Sequence, residues 1–186
     1  TVTVTGVNDL PTLDQPANVT VAEDSGVGTV TLTGITYGPN TGTTNETGQT
    51  ITVTAASSNT SIIAAPSITY TSPNATGTLS FNTVSNAYGT ATITVTVNDG
   101  QATNNLITKT FTITVTPVND LPTLAAISNV TINEDAATQT VSLTGITYGP
   151  NTGFTDEPST ITITTASSNT ALIPTPSVSY TSANAT

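Results

Sequence analysis

The chain has 186 residues, eleven of them acidic against a single Lys, and it contains no Arg, His, Cys, Met or Trp, which gives a formal charge of −10. One cation cannot displace phosphate counterions, so nucleic acid is excluded as a partner, and without His or Cys neither a Cys/His zinc site nor a His-activated nucleophile can be built. Only 6% of residues are charged, against roughly 25% in an ordinary globular protein, while 48 are Thr.

In chain order, residues 1–5 read TVTVT, an alternating strand, and lead into the linker word VNDLPTL at 7–13. Strands are predicted at 19–22, 29–34, 50–55, 67–71, 78–82, 91–97 and 111–116, all rich in the β-branched residues that suit a pleated, half-buried surface. Residues 91–97 set Ile93, Val95 and Val97 on one face and Thr92, Thr94 and Thr96 on the other, and 111–116 turn Phe111, Ile113 and Val115 inward. Such strict alternation belongs to antiparallel strands with one wet face. Turn signals separate the strands at Glu23-Asp24-Ser25-Gly26, Gly38-Pro39, Ser58-Asn59, Pro73-Asn74 and Asn98-Asp99-Gly100. Tyr88 stands where either a tyrosine corner or an ordinary core-edge Tyr is placed. No window shows helical spacing with caps.

The chain then repeats itself. Residues 1–42 and 112–153 align at an offset of 111 with 29 identities, and TGITYGPNTG occurs at both 33–42 and 144–153. After one deletion the offset becomes 110, which aligns ASSNT at 56–60 with 166–170. This period is too long for a solenoid unit and fits a β-sandwich domain of about 100 residues. The predicted fold is all-β, a tandem array of Greek-key β-sandwiches of about seven strands. Residues 1–8 are expected to be the last strand and linker of a preceding repeat, 9–119 a complete repeat, and 120–186 an incomplete one with its first four strands only. Half a sandwich leaves its inner face in water, so the sequence reads as a window on a longer array.

With the strands lettered A to G, the acids fall at domain ends. Glu23 and Asp24 lie in the A–B turn at the trailing end, Glu46 in the B–C loop and Asp99 in the F–G turn at the leading end, and Asp9 and Asp120 in linkers. Glu134, Asp135 and Glu157 take the matching places in the second repeat, beside Asp156. Clustered carboxylates repel one another, and Ca²⁺, which takes six to eight oxygen ligands, offsets that. The candidate ligands at the complete junction are Glu23, Asp24, Asn119, Asp120, Asp156 and Glu157. A partial upstream junction would use Asn8, Asp9, Glu46 and Asp99, and a partial downstream one Glu134 and Asp135. The competing reading is that these acids only solvate loops and set turns, as Asp99 before Gly100 does well without metal. Against it, no acid lies within any predicted strand.

VTVNDGQATNNLITKTFTITVTPVNDLPTL, residues 95–124, resembles the end of a cadherin repeat with its linker: strand, Asp-Gly turn, strand, then Asn-Asp and Pro. The whole chain is similar to the tandem cadherin-like and immunoglobulin-like repeats of very large bacterial surface adhesins. The resemblance implies Ca²⁺ at linkers and neighbouring loops, stiffening the array. The family's linker pattern is Asp-x-Asn-Asp; here Pro117 and Gly6 replace its first Asp, and the thinner ligand set implies one or two ions per junction rather than three.

The expected function is a stalk or spacer of an extracellular, cell-surface adhesin or filament, rigidified by inter-domain calcium. Each domain would extend the chain by roughly 35–45 Å. The alternatives are a calcium-dependent carbohydrate- or protein-binding module, which the missing Trp disfavours, and a segment of a laterally bundled extracellular fibre. No enzyme is expected. The expected partners are neighbouring repeats, identical chains in a fibre, and a host-cell, prey or matrix surface met by a tip outside this segment. No run reaches the roughly 18 apolar residues of a membrane helix. The Asn-x-Ser/Thr sequons at Asn18, Asn45, Asn59, Asn74, Asn129 and Asn184 are read as coincidences of an Asn- and Thr-rich chain, and Lys109 receives no role.

Overall fold

Thr alternates with Ile and Val along the chain, and the structure, a computed structural model, resolves that alternation into strands. These are β1 (Val19–Ala22), β2 (Val27–Leu32), β3 (Thr52–Ser57), β4 (Ser67–Thr69), β5 (Gly77–Asn82), β6 (Gly89–Asn98) and β7 (Leu106–Thr116). The structure describes residues 1–38, 46, 48–149 and 160–182, which fall into two units, Thr1–Pro117 and Val118–Thr186. All strands among the described residues belong to the first unit. No helix there is long and apolar enough to cross a membrane.

Unit 1 is an immunoglobulin-like β-sandwich. Its sheets run β1-β7-β6-β3 and β2-β5-β4. β1 pairs in parallel with β7, Val19 opposite Ile113, and the other pairs are antiparallel. The inward residues predicted from the alternation are buried: Ile93, Val95, Val97 and Ile113 meet Leu32, Leu79 and Ile63, all at 0% exposure. Thr fills the other face, where Thr92 pairs with Thr112 and Thr94 with Thr110. Packing apolar side chains between two sheets while the hydroxyls stay wet is the arrangement that strict alternation selects.

Several strand bounds differ from the sequence reading for local reasons. β7 begins at Leu106 rather than 111 because the hairpin with β6 continues to Asn98↔Leu106. Its first half was hidden by Lys109, which sits opposite Val95 on the inward-facing register and is half-buried, so that a charge interrupts the apolar pattern. β2 starts two residues early and ends at Leu32, before Gly34 turns the chain with φ +66°. At its start, Gly28 leaves room for the Phe81 ring, whose Cζ would stand 2.2 Å from a Cβ at that position.

Unit 2 repeats the sequence of unit 1 but forms no strand among its described residues, only the bridge Thr123↔Thr147 that matches Thr12↔Thr36. The four strands expected there are therefore not formed. The reason lies in the sheet order of unit 1: β1 pairs only with β7, β3 only with β6, and β2 and β4 only with β5. Unit 2 has no counterparts of β5, β6 and β7, so each of its candidate strands lacks its ladder partner. The same absence uncovers the core. Leu124 is 50% exposed where its counterpart Leu13 is 5%, and Leu172 is 74% exposed where Ile62 is 3%.

Candidate functional site

Three charged side chains are buried, Glu23, Glu46 and Asp99, and all three were singled out from the sequence. They occupy opposite ends of unit 1. β6 spans its length, from Gly89 at the trailing end to Asn98 at the leading end, about 30 Å at the rise of an extended strand.

At the leading end the structure brings Asn8, Asp9, Glu46 and Asp99 together. The backbone N–H of Asp9 donates to Glu46 Oε1 at 3.2 Å. Gln49 Nε2 donates to Glu46 Oε2 at 2.8 Å and to Asn8 Oδ1 at 2.7 Å. Asp99 Oδ1 accepts the Gln101 N–H at 2.9 Å, the local turn that an Asp-Gly sequence favours, and Asp99 Oδ2 accepts from Asn8 Nδ2 at 3.0 Å. Both carboxylates are thus held by amides, which explains how two acids stay buried in a chain with one cation.

Asn8 Nδ2 is the centre of this end. Four oxygens surround it: Thr103 O at 2.9 Å, Asp99 Oδ2 at 3.0 Å, Asn104 O at 3.1 Å and Asp9 O at 3.2 Å. An amide nitrogen carries two hydrogens and cannot satisfy four acceptors at once. The position is therefore richer in oxygen than its occupant needs, and a hard cation favours such surroundings. Among the described residues, no three acidic side chains stand close enough to hold a metal on their own. Any cation here would draw on carbonyl and amide oxygens as well.

At the trailing end Glu23 continues the parallel ladder, its N–H donating to Thr116 O at 3.0 Å. Asp24 sits in the left-handed region at φ +56°, and its Oδ1 accepts the Asn86 N–H at 3.1 Å, joining the β1–β2 and β5–β6 turns. In unit 2 Asp135 keeps that backbone, at φ +59°, but Glu134 and Asp135 are exposed, since the segments that meet Glu23 and Asp24 have no counterpart there. Asn119 Nδ2 donates to Asp120 O at 2.8 Å, repeating the Asn8–Asp9 contact, and both residues line a shallow cleft with Pro122, Tyr148, Thr160, Ile161 and Thr162. Asp156 and Glu157 lie outside the described residues. Glu23 and Asp24 belong to unit 1 and Asn119 and Asp120 to unit 2.

Asp14, an acid without a repeat counterpart, has a structural role. Its Oδ2 accepts from Thr33 Oγ1 at 2.8 Å, and its carboxylate rests against Gly34, where a Cβ would come within 2.5 Å. Sequence reading missed Gln49 and Asn104. Asn104 carried a signal, being Asn in a loop where φ reaches +52°, a region Asn visits more readily than most residues. Gln49 carried none.

No protein-family model matches the sequence, and no curated protein does. Some solved structures share the fold. Domains 4 and 5 of the S-layer protein SbsC are 20% identical, over 56% of this chain and 53% of that one, with a TM-score of 0.34. SbsC domains 5–6 are 22% identical, over 68% and 58%, with a TM-score of 0.33. The N-terminal Ig1-2 module of the Drosophila receptor protein tyrosine phosphatase DLAR is 12% identical, over 63% and 57%, with a TM-score of 0.39. The chain therefore spans between 53% and 58% of these three. At such identities they bear on fold alone, and the immunoglobulin-like assignment rests on the strand order of unit 1.

Proposed function

We propose that this segment is a spacer in an extracellular array of immunoglobulin-like repeats, stiffened by calcium at the acid-bearing domain ends. The observation that carries this reading is the oxygen cage around Asn8 Nδ2, at the end where Asp9, Glu46 and Asp99 converge. Asp99, Glu46 and Asn8, with the carbonyls of Asp9, Thr103 and Asn104, would hold the ion there. Calcium would supply the positive charge that this nearly cation-free chain lacks. Asn119 and Asp120 repeat the linker half of the same donor set, and Glu23, Asp24, Asp156 and Glu157 are the remaining candidates at the complete junction.

A spacer role follows from how charge is distributed. All acids lie in turns, loops and linkers, and none in a strand, so the sheet faces offer Thr and no charged or aromatic recognition surface. Near-identical repeats act as interchangeable lengths. Attachment to a host-cell, prey or matrix surface, in an adhesin of cadherin-like construction, would fall to a part of the protein beyond this segment.

The test is thermal unfolding of the full chain in EDTA, in millimolar calcium and in magnesium. A ligand that binds only the folded state raises its stability. The expected result is a higher Tm for unit 1 in calcium, lost on chelation and weaker in magnesium. Identical melting in all three conditions would sink the calcium reading.

A further inference from the structure

We propose that the β3 edge of unit 1 is a pairing surface for a second copy of this chain. A sheet edge presents unpaired backbone N–H and C=O groups, and soluble proteins blunt such edges with short strands, Pro or charge. The other three edges carry these devices. β1 is four residues long, with Pro16 before it and Glu23 after it. β2 lies between Asp24 and Thr33, the residue that bonds the Asp14 carboxylate. β4 is three residues long, between Pro66 and Pro73. β3 carries none. Its six residues, TVTAAS, pair with β6 alone, and no charged residue occurs anywhere between Glu46 and Asp99. The counterpart at 162–167, TITTAS, is uncharged as well.

The core also stops short at this edge. Val53 and Ala55 sit opposite Val97 and Val95 on the inward register, yet they remain half-exposed while Val95 and Val97 are at 0%. A further strand beyond β3 would cover them.

Charge selects the occupant. A cationic partner would be drawn to the acid-bearing ends rather than to β3, whereas two copies, each at −10, can approach here without opposing carboxylates. A two-fold axis pairs β3 with itself in antiparallel fashion. Facing residues must then share a side of the sheet. Centring the axis on Thr54 meets that condition and extends the existing row Thr108–Thr96–Thr54 with Thr54 of the second copy. The pairing rests on the extracellular-array reading only for its purpose, the side-by-side association of arrays.

The lack of cysteine makes the test direct. In the full chain, Thr54→Cys is expected to oxidise to a disulfide-linked dimer, because directly opposed antiparallel residues have Cα atoms about 4.5–5.5 Å apart, within disulfide reach. Thr92→Cys, equally exposed but on the central strand β6, is expected to stay monomeric. Thr54→Lys sets two ammonium groups face to face and is expected to abolish the dimer seen by analytical ultracentrifugation, with unit 1 melting unchanged. A parent chain that is monomeric at every concentration overturns the proposal, as does cross-linking at Thr92 as fast as at Thr54. Each arm is run in EDTA and in calcium: a dimer without a calcium response sinks only the calcium reading, and a calcium response without a dimer sinks only this one.

Discussion

Asn8 and Asn104 hold each other's backbone: the Asn8 amide donates to the Asn104 carbonyl at 3.1 Å, and the Asn104 amide donates to the Asn8 carbonyl at 2.9 Å. The exchange ties the linker to the loop between β6 and β7. The Asn-Asp word of the linker is therefore committed to the domain that follows it, through Asn104, Asp99 and Gln49, before any neighbouring domain is involved.

This pair should be energetically coupled. Asn104→Ala gives up two hydrogen bonds and places a Cβ-bearing residue without Asn's local bonding at φ +52°, so a loss of about 1–2 kcal/mol is expected. Asn104→Gly relieves the backbone cost but not the lost bonds and should fall between the two. A double-mutant cycle with Asn8→Ala, read by urea unfolding of unit 1, should give a coupling of about 0.5–1 kcal/mol. Strict additivity would show that the reciprocal contact contributes nothing.

Asp99 joins the hydrogen-bond network to the proposed ion site. It is 1% exposed and accepts from Gln101 N and Asn8 Nδ2. Asp99→Ala strands both donors and is expected to cost about 1–3 kcal/mol in EDTA. It should also remove the calcium-dependent rise in Tm, and the two effects separate on comparing the melting curves. A variant that loses stability yet keeps the full calcium response would place the ion elsewhere, with Glu23 and Asp24 as the next candidates.

Gly28 is set by packing rather than by backbone freedom. A Cβ there would stand 2.2 Å from Phe81 Cζ, and Phe81 is 2% exposed at the heart of the β2–β5 pair. Gly28→Ala is expected to cost about 1–3 kcal/mol through overpacking. Pairing it with Phe81→Leu should return part of that loss in the same unfolding assay. Full stability of Gly28→Ala alone would mean that the ring moves freely.

The sandwich was legible because Thr and the apolar residues alternate without error along β6 and the second half of β7, and the repeat supplied the domain size. The first half of β7 was not legible, because Lys109 occupies an inward position that a sequence pattern assigns to an apolar side chain. At the site, the acids stood out as the only charges in a neutral chain, and the turn order alone placed Asp99 and Glu46 at one end. Gln49 was invisible, since a lone Gln in a polar loop has no periodic or turn signature; only the fold shows that its amide bridges Glu46 and Asn8. Asn8 looked like a ligand. It acts in the structure as a donor, a distinction set by side-chain orientation, which no sequence carries.

Hydrogen exchange should divide the chain sharply. In unit 1 every strand that is not β5, β6 or β7 finds its ladder partner among those three, and β6 and β7 form the longest pairing, from Gly89↔Val115 to Asn98↔Leu106. Amides at Ala91, Ile93, Val95 and Val97 lie on a central strand whose inward side chains are buried, so their opening requires global unfolding. They are expected to exchange slowest. Residues 118–149 and 160–182 lack all three partner strands and keep only local bonds such as Thr123 N–H to Thr147 O at 3.0 Å. Their amides are expected to exchange near the rate of unstructured peptide, except at that bridge and at the Asn169 turn, where the Leu172 and Ile173 N–H groups bond the Asn169 carbonyl. Slow exchange across 162–167, the counterpart of β3, would mean that this segment has found a strand partner, and the Thr54→Lys chain, tested alongside, shows whether that partner is a second copy.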